Sequence, residues 1–118
     1  MLAKPNAMPP PTPASSAGPA RNFVVRVDVE IADLIPKFLL QMQEASRSMG
    51  ESADKGDLPA VLGLAHQITG VGGSYGFHEI THLGRAIEET IRKADGAAVH
   101  RLIAELDTYL QSVEVVYE

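Results

Sequence analysis

One imidazole stands among residues that leave it bare. His66 lies in the run Ala65-His66-Gln67-Ile68-Thr69-Gly70-Val71-Gly72-Gly73-Ser74-Tyr75-Gly76-Phe77. The segment is helical by pattern, yet it carries Gly70, Gly72, Gly73 and Gly76, with Gly63 just before it. A glycine in a helix interior costs about 1 kcal/mol relative to alanine. On a helix, the surface neighbours of position 66 are 63, 69, 70 and 73. Three of those four are glycines. This spacing predicts an imidazole presented in a shallow patch that another protein can approach closely. A neutral imidazole is a nucleophile, and a carboxylate on one ring nitrogen fixes the tautomer and leaves the other nitrogen free to react.

The candidates to complete such a site lie on the next helix. Tyr75-Gly76 reads as a tight turn, so residues equidistant from it share a height in an antiparallel pair. That places His66 level with Arg85, and Glu88 three residues further, about 4.5 Å along the axis. Glu88 is the candidate orienting carboxylate, and Arg85 the candidate cation to steady a phosphoryl group.

The elements that must position these residues are legible from apolar spacing. Residues 1–20 hold six of the eight prolines and little apolar matter, and read as a disordered tail. Residues 22–27 form an extended lead-in with no evident partner strand. A 28–118 domain follows. Asp28 is a fair N-cap, and Pro36 kinks or restarts the first helix, whose stripe is Phe38, Leu39, Met42, Ala45, Met49 and Ala53. Lys55-Gly56-Asp57 ends it. Asp57 caps a second helix from Leu58 to about Ser74, with Pro59 tolerated in its first turn. A third helix runs from Phe77 to Ala94, with Ile80, Leu83, Ile87 and Ile91 as its stripe. After Asp95-Gly96, a last helix carries apolar residues from Val99 to Val116. Short connections between amphipathic helices predict an all-α, up-down antiparallel four-helix bundle.

Composition narrows the function classes. With 118 residues the chain is one domain plus its tail. It has no Cys, which excludes disulfides and a thiol nucleophile and suits a cytoplasmic location. No apolar run approaches the roughly 20 residues of a membrane span, and prolines interrupt any signal-peptide core. The net charge of −5 divides into +3 over residues 1–27 and −8 over 28–118. That acidity argues against nucleic acid as a partner. No Walker loop is present, and Gly70-Val71-Gly72-Gly73-Ser74 lacks both the Lys-Ser/Thr ending and the preceding strand of a phosphate-binding loop. His78 and His82 are spaced as a chelating pair, but no third ligand is obvious beyond Glu79, so no metal site is assigned.

The stretch from Ala65 to Phe77, followed by Leu83 and Ile87-Glu88, resembles the histidine phosphotransfer (HPt) family. That pattern is a His, a Gly four residues on, a run of small residues, Gly-Phe, and a Leu-rich helix ending in Leu-Glu. The small-residue run is most similar to the phosphotransfer domains of chemotaxis-type kinases. The resemblance covers roughly Phe38 to Val113. It implies that His66 is the phosphorylated residue, on Nε2, and that Glu88 hydrogen-bonds it. Thr69 stands where the family usually has Lys, and Arg85 is the candidate to replace that charge. Thr69, Gly70, Gly73, Arg85 and Glu88 are thus the expected phosphoryl environment, and Gly63, Gln67, Gly70 and Gly73 the expected docking surface.

The function implied is a phosphorelay carrier that exchanges a phosphoryl group between His66 and receiver-domain aspartates, without ATP-dependent kinase activity of its own. Its expected partners are response-regulator receiver domains or a hybrid sensor kinase. It would be a monomer without cofactors, the Mg²⁺ belonging to the receiver. The alternative is a non-phosphorylated HPt-like adaptor that binds receivers or kinases only.

Overall fold

The computed structural model describes residues 23–118, and the expected disordered tail over residues 1–20 lies outside them. Strand β1 (Val24–Val27) leads through a 3-10 turn (Val29–Leu34) into helix α1 (Ile35–Asp54). Helices α2 (Leu58–Ser74), α3 (His78–Arg92) and α4 (Gly96–Ser112) follow, and strand β2 (Glu114–Tyr117) ends the fold. Each helix packs on the next and α4 closes against α1, giving the expected antiparallel four-helix bundle.

Local signals start the elements where side chains can satisfy free backbone donors. Asp28 Oδ1 accepts from the Glu30 amide at 2.8 Å and starts the 3-10 turn rather than α1 itself, which begins at Ile35. Asp57 and Asp95 cap α2 and α4, each accepting from the amide three residues on at 3.2 Å.

The three turns between helices share one geometry. Gly56, Gly76 and Ala94 each adopt a positive φ, of 74°, 86° and 57° respectively. In each turn the following amide closes back five residues: Asp57 to the Ser52 carbonyl, Phe77 to Gly72 and Asp95 to Thr90. This pairing satisfies the last carbonyls of a helix while reversing the chain in a few residues. The third helix is accordingly shorter than its apolar pattern suggests, since Phe77 is the cap and Ala94 the turn.

The core is aliphatic with a small aromatic end. Met49, Val61, Ile68, Ile80, Ile87, Val99 and Leu106 are essentially inaccessible. Phe38 stacks against both Tyr75 and Phe77, with ring centroids 4.6 and 5.1 Å apart. Gly72 permits the close approach of α2 and α3, because a Cβ there would lie 2.9 Å from Ile80 Cβ.

The C-terminal region departs from the expected continuation of helix to Val116. Helix α4 stops at Ser112, Val113 turns to ψ 136°, and residues 114–117 pair in parallel with 24–27, Val25 opposite Val115 and Val27 opposite Tyr117. Valines at 113, 115 and 116 disfavour helix and favour strand. Their partner lies about ninety positions upstream, so helical periodicity could not show it. Val27, at the end of this pair, is buried in the core.

Candidate functional site

The site lies where α2 and α3 run side by side. Gly84 faces α2 so closely that a Cβ on it would collide with Thr69 Oγ1 and come within 3.1 Å of the Ala65 carbonyl. Thr81 Oγ1 donates to the Thr69 carbonyl at 3.0 Å across the same seam. The face of α3 turned to α2 is therefore Thr81, Gly84 and Glu88, positions separated by three and four.

His66 stands at the edge of this seam with its side chain 82% exposed, and its Nδ1 lies 3.6 Å from Glu88 Oε1. The carboxylate itself is only 10% exposed. Glu88 is thus fixed and the imidazole is free, with Nε2 as the nitrogen not engaged by Glu88. At 3.6 Å the contact is just longer than a direct hydrogen bond, and closing it takes about half an ångström of side-chain movement.

Two further groups hold the carboxylate. Thr69 Oγ1 is 3.1 Å from Glu88 Oε2 and 2.8 Å from the Ala65 carbonyl, so its one hydroxyl proton has two acceptors in reach. Arg92 Nη2 donates to Glu88 Oε1 at 3.4 Å, and its Nη1 lies 3.8 Å from Glu89 Oε1. The Thr at position 69 therefore points inward, bracing the acidic partner of the imidazole.

Arg85 is placed differently from Arg92. It is level with His66 as the turn geometry requires, and it lies four residues from Thr81 and three from Glu88, at the solvent edge of the same face. It is exposed, and among the described residues it makes no ion pair or side-chain hydrogen bond. The guanidinium that reaches Glu88 belongs to Arg92, a residue not among those expected at the site. Its signal was the i, i+4 spacing from Glu88 on the face already assigned to the site.

The glycines divide by surroundings. Around Gly63 and Gly70 a Cβ would meet nothing within 4 Å, so packing gives no reason for glycine there. Both are exposed beside His66, as is Gln67. Gly73 is half-buried, and a Cβ on it would touch Thr81 Oγ1 at 3.4 Å, so it belongs as much to the seam as to the open surface.

The pattern spread over these helices is that of a known family. The model of the Hpt domain matches residues 33–115. The chain belongs to the Hpt domain family. Hpt domains serve histidine phosphotransfer in two-component signalling, act as phosphocarriers without kinase activity of their own, and interact with receiver domains and kinases. No curated protein and no solved structure matches the chain.

The other polar clusters do not compete with this site. His82 Nδ1 is 3.9 Å from Glu79 Oε1 on the same helix, and no group of three His, Cys, Asp or Glu gathers at metal-binding distance among the described residues. Within the same residues, no helix is long and apolar enough to cross a membrane.

Proposed function

We propose that His66 is the phosphorylated residue of this Hpt domain and relays a phosphoryl group between receiver-domain aspartates. The observation that carries the reading is the pairing of a freely exposed imidazole with a buried carboxylate 3.6 Å from its Nδ1. Glu88 holds a proton on Nδ1, which leaves the Nε2 lone pair to attack phosphorus. The Nε2–P bond forms as the P–O bond to the aspartyl phosphate breaks, and the aspartate departs as a carboxylate. The reverse step returns the group to an aspartate on the same or another receiver. The positive charge that develops on the imidazole faces Glu88, so the carboxylate stabilises the phosphorylated ring. The receiver supplies Mg²⁺ and its acidic cluster, and this chain supplies the nucleophile.

The open surface at Gly63, Gln67 and Gly70 is the proposed docking surface, extending towards Gly73 at the seam. Arg85 projects from the same side of the helix pair and is proposed to meet the phosphoryl group or the partner's acidic residues, a role Thr69 cannot fill from inside the seam.

The test is incubation with a phosphorylated receiver. The expected product is an acid-labile, alkali-stable phosphate on the chain that His66→Gln abolishes. Receiver binding without any label would instead support the adaptor reading.

A further inference from the structure

One oxygen of Glu88 serves two partners. Oε1 lies 3.6 Å from His66 Nδ1 and 3.4 Å from Arg92 Nη2, whereas among the described residues Oε2 is within reach of the Thr69 hydroxyl alone. The guanidinium carries a permanent positive charge, so it draws on the same lone pairs that would hold a proton at Nδ1. We propose that Arg92 is a positioning residue that limits how strongly Glu88 holds the Nδ1 proton of His66. The consequence for phosphoryl exchange rests on the relay reading above, whereas the effect on the imidazole does not.

Three features make Arg92 suited to attenuation and not to bracing. Its side chain is 61% exposed, while Glu88 is 10% exposed, so Arg92 can leave without taking the carboxylate with it. Thr69 Oγ1 reaches Oε2 at 3.1 Å independently of Arg92. Arg92 is itself divided, since Nη1 lies 3.8 Å from Glu89 Oε1, and Lys93 Nζ shares Glu89 at 3.8 Å. A cation held partly by a second carboxylate exerts only part of its pull on the first.

A carrier that must both accept and surrender its cargo needs this balance. A carboxylate with no competitor would favour the Nδ1–H tautomer strongly, and would equally favour the cationic phosphorylated ring over release. Sharing Oε1 with Arg92 weakens both preferences together, which keeps exchange reversible.

The test reads the tautomer of His66 in the full chain by two-bond ¹H–¹⁵N correlation, at a pH where the imidazole is neutral. Arg92→Gln is expected to raise the ratio of Nδ1–H to Nε2–H by about 1.4-fold to fivefold, the range given by an exposed charge pair. Lys93→Gln removes a neighbouring cation that contacts Glu89 and not Glu88, and is expected to leave the ratio near that of the wild type. An unchanged or lowered ratio in Arg92→Gln, or an equal rise in Lys93→Gln, overturns the proposal. The same proteins are then given a phosphorylated receiver. Arg92→Gln is expected to accept the phosphoryl group at least as fast as the wild type and to return it more slowly, and faster return overturns the attenuation. If the wild type takes no label, the relay reading fails while the tautomer ratio still decides the role of Arg92.

Discussion

His66 and Glu88 face each other across the seam of α2 and α3 with opposite accessibility, the imidazole 82% exposed and the carboxylate 10% exposed, 3.6 Å apart. The division sets what each residue contributes. The histidine can be replaced without disturbing the bundle, whereas the glutamate is part of the seam.

His66→Gln is therefore expected to abolish phosphoryl acceptance with the fold intact. An exposed substitution away from caps and core shifts stability by less than about 0.5 kcal/mol. Urea unfolding followed by circular dichroism checks this, and a large loss of stability would mean that the imidazole is structural.

Replacing the carboxylate acts on chemistry first. Glu88→Gln keeps an acceptor for Thr69 and much of the side-chain volume but removes the charge beside Nδ1. A hydrogen bond involving a charged partner contributes about 1.5–3 kcal/mol, so single-turnover phosphoryl transfer from a receiver should slow by roughly ten- to a hundredfold. A rate within twofold of the wild type would remove Glu88 from the mechanism.

The glycines should separate into two groups by urea titration. Gly72→Ala forces a Cβ to 2.9 Å from Ile80, and Gly84→Ala drives one into Thr69 and the Ala65 carbonyl. Overpacking of this kind costs about 1–3 kcal/mol. Gly63→Ala and Gly70→Ala meet open space and are expected to stabilise the helix by about 0.5–1 kcal/mol. The same two changes should weaken receiver binding, measured by calorimetry, because they refill the bare surface beside His66.

Ala94 occupies a left-handed turn that Gly56 and Gly76 occupy elsewhere, at φ 57°. Left-handed backbone costs a residue with a Cβ about 1–2 kcal/mol, part of which glycine returns as unfolded-state entropy. Ala94→Gly is expected to raise stability by about 0.5–1 kcal/mol, read as a shift of the urea midpoint at constant slope.

Tyr109 should govern part of the alkaline limb of stability. It is buried against Phe23, and burial, with a smaller contribution from the charge of Glu79, pushes its phenol from 10.0 up to about 12. Between those values the unfolded chain releases the proton while the folded one keeps it. Stability from the neutral phenol is thus complete below about pH 10 and is lost as pH rises through about 12. The Tyr109 hydroxyl has no hydrogen-bond partner among the described residues. Tyr109→Phe should consequently be at least as stable as the wild type at pH 7 and should lose less stability above pH 10. An identical alkaline limb in the two proteins would overturn this account.

The sequence by itself determined the four helices, because their order follows from apolar periodicity and their starts from Asp57 and Asp95, all contacts within a few residues. It also singled out His66 and Glu88, since the Tyr75-Gly76 turn ties the heights of α2 and α3 together. What it could not settle is which side chain at a given height faces the seam. Height along an antiparallel pair depends on counting residues, whereas facing depends on the rotation of one helix about its axis, and packing of Gly84 against Thr69 and Ala65 decides that rotation. Arg85 is level with the imidazole but stands at the solvent edge of the seam with no ion pair among the described residues, whereas Arg92, a turn beyond Glu88, reaches its carboxylate. The parallel pairing of residues 24–27 with 114–117 was equally out of reach, because a strand's partner is fixed by the closure of the whole bundle and not by any spacing along the chain.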